Sequence, residues 1–377
     1  MYRLKEPSRT DLEPFFNDAR ETILGRIKDW LDGKVIDVKV PCGSKKLDLT
    51  AKINPGGLTE EYLKLYSNED NLKELMLGRM SDFVQLVRDL KDKALKKGYP
   101  QEYIFDSLTL KDYERLENGG RKLNLKLATT FDHFNTIFHD VFVDHGYNGE
   151  KSKKEPVFKK DEFVKLHNLR ICPYCGRAFI YSVQREGDNT VVKPQLDHFL
   201  PKGKYPFLAL SFMNLIPSCQ TCNMKDCKGE NVPIEDFHFP IKYRIQYPYM
   251  FEANKLTFEY VLNGSHYSRD DNFDIKVNYH GDKVLEKGCN EYLKIEELYK
   301  HHNVELAGMY RQMMVLASKA TFYYEKFKID KHFLRPNPMM VLGFNLNEAN
   351  SGKYMLYKFK NDVYFQMMSG EVRKLFY

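Results

Sequence analysis

The sequence predicts an α+β protein in three regions: a mainly helical stretch over residues 1–165, a compact cysteine-framed segment over 166–235, and a mixed strand and helix region over 236–377. Three observations carry that reading. Apolar residues recur every three or four positions through much of the first region, the period of one helix face. Two Cys-x-x-Cys pairs bracket a segment whose pattern runs strand, loop, strand, helix. Beyond residue 235, apolar and polar residues alternate in short runs, as on a half-buried strand.

The first helix is expected to open at a capping box, Thr10 to Glu13, and to bury Phe15, Phe16, Ile23, Ile27, Trp30 and Leu31 before Gly33 stops it. A β-like stretch follows, with Val35, Ile36, Val38 and Val40, then Leu47 and Leu49 after a turn at Pro41–Ser44. Residues 70–97 read as one helix, with Leu72, Leu75, Met76, Phe83, Val87 and Leu90 at helical spacing and Gly98 and Pro100 beyond its end. Another helix is expected over Phe131–His145. Its three histidines, His133, His139 and His145, are six residues apart, which is not the spacing that puts ligands on one face. The run Lys151–Lys165 is lysine-rich and reads either as a solvated linker or as a phosphate-contacting lead-in. In the third region, Leu256–Val261 and Phe273–Val277 read as strands, and a long helix is expected over 294–327. There Leu306, Met309, Met313, Leu316, Ala320, Tyr323 and Phe327 mark a face that fits core or a partner-docking stripe. Tyr354–Phe359 and Tyr364–Met367 read as further short strands.

Composition narrows the class. With 42% hydrophobic and 14% aromatic residues among 377, the chain has ample material for buried cores. Its net charge of +6 suits nucleic acid without indicating it. No apolar run reaches the ~20 residues needed to span a bilayer, and the N-terminus lacks an apolar signal segment, so a cytoplasmic location without membrane contact is expected. Thiols stay reduced there, and paired Cys-x-x-Cys knuckles then indicate metal rather than disulfide. The pairs are Cys172/Cys175 and Cys219/Cys222, and four thiolates make a closed tetrahedral site for structural zinc. Cys227 would add a fifth sulfur and reads as a spare thiol.

Between the knuckles lie Asp197-His198, following Val191, Val192 and Leu196 and so expected at the end of a strand. Asn214 opens the apolar segment Asn214–Pro217, and Asn223 follows the second knuckle, where a helix can begin. The elements Asp197–Lys202 (DHxxPK), Asn214–Cys219 (NLxPSC) and Cys219–Lys225 (CxxCNxxK) make the segment resemble the zinc-knuckle HNH endonucleases of the His-Me finger, or ββα-metal, superfamily. The likeness covers about 60 of the 377 residues.

That resemblance implies a ββα nuclease core inserted between the two flanking regions, hydrolysing phosphodiester bonds. His198 would be the general base, since histidine titrates in the range needed to take a proton from water. Asp197 and Asn223 would offer oxygen ligands to a catalytic Mg²⁺ or Mn²⁺. Asn223 stands where the family often has histidine. Asn214 would hold the histidine-bearing loop by hydrogen bonds, and Lys202 and Lys225 could contact phosphate or remain solvated. DNA is the expected substrate, in the setting of bacterial anti-phage defence, where some relatives sit beside ATPases or reverse transcriptases. The chain has no Walker motif, so an ATP-driven step would need a partner protein. Cleavage of RNA, or a zinc-stapled adaptor without activity, are the alternatives.

Overall fold

The structure is a computed structural model. It describes residues 1–34, 36–42, 45–51, 53, 55–98, 134–149, 157–181, 194–235, 237, 240–264, 269–329, 337–347 and 351–370, with the strand course alone for 36–42 and 45–51. His133, residues 151–156 and Val191–Val192 lie outside the described residues. Among the described residues helices dominate, joined by three separate two-stranded antiparallel sheets, an α+β arrangement.

Helix α1 (Arg9–Leu31) begins earlier than the expected box. Ser8 and Asp11 supply the same reciprocal chemistry: Ser8 Oγ accepts from the Asp11 amide at 3.2 Å, and Asp11 Oδ2 accepts from the Ser8 amide at 2.9 Å. Its buried stripe is Leu12, Phe15, Phe16, Ala19, Ile23, Ile27 and Trp30. Strands β1 (Ile36–Cys42) and β2 (Lys45–Ala51) pair as a hairpin, followed by α2 (Leu58–Tyr66). The expected 70–97 helix is two helices, α3 (Glu69–Leu77) and α4 (Met80–Lys96). Gly78 lies so near the Glu74 carbonyl that a Cβ would sit 2.7 Å from it, and Asp82 caps the Arg79 amide at 2.8 Å to start the second helix. The apolar period survives the break because both helices lie on one core.

The helix expected over 131–145 is a single turn, α5 (Phe134–Phe138), continued as a π-helix over His139–Tyr147. The wider pitch brings residues five apart together: His139 Nδ1 lies 3.2 Å from Asp144 Oδ2, and His145 Nδ1 lies 3.0 Å from the Asp140 carbonyl. Neither histidine belongs to a metal-ligating group; among the described residues the four cysteines are the one such group.

Asp140 ties this segment to α1. Its carboxylate accepts from Arg26 Nε at 2.7 Å, Arg26 Nη2 at 3.0 Å and Trp30 Nε1 at 2.8 Å. Burial pushes its carboxyl up, but the donors His145, Arg26 and Trp30 outweigh it and hold the group at about 2. A depressed folded value means the stabilisation is present above about pH 4 and is lost as pH falls toward the folded value. Asp140→Asn should therefore cost about 3 kcal/mol at pH 7, because it leaves Arg26 unpaired beside the core. Urea unfolding of the two proteins checks this, and the difference should shrink on acidification.

After α6 (Lys160–Leu166) come β3 (Gln195–His198), β4 (Leu215–Ser218) and the one-turn α7 (Gln220–Asn223). Strands β5 (Thr257–Leu262) and β6 (Phe273–Asn278) pair in register from Thr257↔Asn278 to Leu262↔Phe273, as the alternation predicts. Helix α8 (Lys283–Tyr292) follows. The expected 294–327 helix divides into α9 (Ile295–Lys300) and α10 (Asn303–Phe327). The break falls where Tyr299 donates to the Cys175 carbonyl at 2.7 Å and His302 Nε2 accepts from Arg177 at 2.8 Å, so the joint between the two helices is docked on the first knuckle. Of the α10 stripe, Leu306, Met309, Met313 and Ala320 are buried, while Tyr323 and Phe327 are exposed.

The tail corrects the sequence reading most. After α11 (Pro338–Leu342), Tyr357–Ser369 is a helix, α12, rather than short strands. Its aromatic residues suit either element, but Phe359, Val363, Tyr364 and Met367 are buried at helical spacing. Packed against β5, its Asp362 Oδ2 accepts from the Phe258 amide at 2.9 Å and its Gln366 Oε1 from the Tyr260 amide at 2.8 Å, closing an open strand edge. A continuous buried cluster draws residues from all three regions.

Candidate metal centre and adjoining cleft

The first knuckle is a tight turn. The Gly176 amide donates to the Cys172 carbonyl at 2.8 Å, the Cys172 amide to the Ala178 carbonyl at 2.8 Å, and Gly176 adopts φ +66, which favours a residue without Cβ. The second knuckle sits at the start of α7, with Cys219 as its N-cap. The Cys219 amide lies 3.4 Å from Cys172 Sγ. All four thiols are buried and their sulfurs lie within 4.8 Å of one another, with Cys175 and Cys219 at 3.9 Å. Four sulfurs about 2.3 Å from one zinc would stand about 3.8 Å apart, so the group can hold a metal ion such as zinc. Cys227, though buried, is outside it.

The metal group and the polar motif are joined through the knuckle itself. Tyr174, between the two cysteines, donates to Asp197 Oδ2 at 2.6 Å. On the other carboxylate oxygen, Lys228 Nζ donates at 2.9 Å, and it also reaches the His198 carbonyl at 2.7 Å. Lys228 is fully buried and Asp197 nearly so, at 0% and 2% side-chain exposure. An isolated ammonium there would be costly, and the paired geometry is what permits it. Burial lowers the Lys228 pKa, opposed by the adjacent Asp197 charge.

Strands β3 and β4 pair Asp197 with Ile216 and His198 with Leu215. Adjacent on β3, Asp197 and His198 meet different partners. His198 Nε2 meets the Ala209 carbonyl at 3.0 Å, and its ring stands edge-on to Tyr147 at 4.5 Å. A carbonyl only accepts, so Nε2 carries the proton and Nδ1 keeps the lone pair. Burial lowers the His198 pKa well below the usual histidine range, with the Lys202, Lys228 and Lys160 charges adding to it. The ring is therefore neutral near pH 7.

Asn214 holds the intervening loop. Its Oδ1 accepts from the Leu200 amide at 2.7 Å, and its Nδ2 donates to the Leu200 and Leu208 carbonyls at 3.0 and 3.1 Å. With no exposed surface, it makes these bonds free of water competition. Asn223 is the last residue of α7, not the opening residue the sequence suggested, because Cys219 caps the helix before it. Its Nδ2 donates to Gln195 Oε1 at 2.9 Å, leaving its oxygen without a hydrogen bond among the described residues.

A cleft of about 280 Å³ brings Asp197, His198, Lys202, Asn223 and Lys225 to one lining together with Glu230. Asn214 lies behind it. The sequence reading missed Lys228, Tyr174, Tyr147 and Glu230. Tyr174 was legible from its place between two ligands; Lys228, three residues past Lys225, had no pattern to mark it.

No family model matches the chain, and no solved structure matches it. It is similar to protein ea31 of Escherichia phage lambda, at 30% identity over 91 residues, 24% of this chain. The match spans about a quarter (26%) of that protein's length. Among the described residues, no helix is long and apolar enough to cross a membrane.

Proposed function

We propose that the protein is a metal-dependent endonuclease of the HNH type that hydrolyses phosphodiester bonds of DNA. The observation that carries this reading is His198: a neutral imidazole, its Nε2–H fixed on the Ala209 carbonyl, set in a cleft that Asp197 and Asn223 also line. Such a ring takes a proton from water at Nδ1, while the carbonyl stabilises the imidazolium that forms. Asn214 keeps the loop bearing that carbonyl in place through Leu200 and Leu208. Lys202 and Lys225 supply positive charge along the cleft for the phosphodiester backbone.

The oxygen donors fit a hard divalent cation: the Asn223 amide oxygen is uncommitted, and each Asp197 oxygen accepts one bond and has a lone pair left. Asp197 and Asn223 would hold Mg²⁺ or Mn²⁺, which would stabilise charge developing on the phosphate and leaving oxygen. Lys228 neutralises part of the Asp197 charge, so binding should be weak. Assignment to anti-phage defence, with an ATPase or reverse transcriptase as partner, rests on the motif resemblance.

A plasmid-nicking assay with and without Mg²⁺, run beside structured RNA, tests the reading. Wild type should nick only with the cation. Asn223→Ala should abolish nicking at millimolar Mg²⁺ yet keep its zinc, and Asn223→His should recover part of it. RNA cleavage alone would keep the chemistry and change the substrate. Intact binding without cleavage of either would leave an adaptor.

A further inference from the structure

The His198 cleft does not end at Asn223. A second cleft of about 300 Å³ adjoins it, sharing Leu196 and Asn223 and continuing past Gln195 to Tyr147, Lys160, Asp161 and Val164. Each cleft contributes an ammonium group to one ring: Lys160 Nζ, in the second cleft, is 3.7 Å and Lys202 Nζ, in the first, 4.5 Å from the Tyr147 centroid. The same ring stands against His198. Each cation gains from the ring. Lys202 makes no ion pair among the described residues, and burial lowers its pKa, with Asp144 and Glu230 opposing from a distance. A phosphate passing Tyr147 would meet a lysine from each cleft, beside the histidine.

We propose that the two clefts form one channel for a polynucleotide strand. In it, Lys160 and Lys202, held on Tyr147, grip the backbone phosphate next to the one presented to His198. The inference rests on the nuclease reading and adds the contact that sets the strand's path. Asn223 lies at the junction of the two clefts, so a strand crossing it passes from the cleft of Lys160 to the cleft of Lys202, His198 and Asp197. Lys160 comes from α6 and Lys202 from the loop after β3, so two elements far apart in sequence would close on one phosphate.

The test is binding of a fluorescein-labelled DNA oligonucleotide, followed by anisotropy from 50 to 200 mM salt, in His198→Ala protein so that the probe stays intact. Losing one phosphate contact flattens the slope of log K against log salt by about 0.7–0.9. Lys160→Met and Lys202→Met should each do so, losing about 3-fold less affinity over that fourfold salt step than their parent. Lys160→Arg should keep the parent's slope, and so should Lys283→Met, which removes an exposed charge on α8. A parent slope retained in Lys160→Met, an equal change in Lys283→Met, or no binding by the parent overturns the channel. Should wild type fail to cleave while the slopes change as described, the nuclease reading fails and the channel stands; cleavage with unchanged slopes gives the reverse.

Discussion

His198→Ala should lower the rate of DNA nicking by about 10²–10⁴-fold, the range expected when a positioned general base is removed. Affinity for DNA should be nearly unchanged. The ring contributes one hydrogen bond, to the Ala209 carbonyl, and an edge contact with Tyr147, so the fold does not hang on it. The variant should therefore keep its zinc content, its unfolding midpoint within a few degrees and its binding to an oligonucleotide. Single-turnover cleavage on wild type and variant, with anisotropy for affinity, separates the two quantities. A variant that nicks at the wild-type rate would remove His198 from the chemistry and the nuclease reading with it.

Cys172→Ser and Cys219→Ser should each lose the metal and much of the stability of the central segment. Apparent zinc binding free energies in small structural sites run to about 10–16 kcal/mol, and that energy is folding energy. Here the cost should spread, because the first knuckle carries more than its metal. Tyr174 reaches Asp197, the Cys175 carbonyl receives Tyr299, and Tyr299 packs on Phe258 and Phe359. Losing the knuckle thus loosens the carboxylate at the cleft and the docking of α9 and β5. Elemental analysis of wild type should give about one zinc per chain, and chelation should lower its melting temperature. Zinc-free wild type with unchanged stability would refute the site.

Much of the local plan was legible because it depends on spacing. The Cys-x-x-Cys pairs specify a turn by themselves, and the structure gathers all four sulfurs although 43 residues separate the pairs. The hairpins β1–β2 and β5–β6 follow from alternation between turn residues, and the α1 stripe from its period. Failures fell where a period continues through a break or fits two elements. The pattern over 70–97 runs on across Gly78, and only the close approach to Glu74 shows why the helix stops there. The tail's aromatic runs suit strand or helix, and contact with the open edge of β5 selects the helix.

The sequence alone determined which residues converge at the metal group, and it set Asp197 beside His198 on a strand, since both depend on neighbours within a few positions. Tertiary structure decided the electrical state of the cleft. Lys228, 31 residues along the chain from Asp197, pairs with its carboxylate with both side chains buried; Ala209 fixes the tautomer of His198; Lys160 arrives from a separate helix to share Tyr147 with Lys202. Such terms arise from burial and from distances between residues remote in sequence, and a local pattern carries neither.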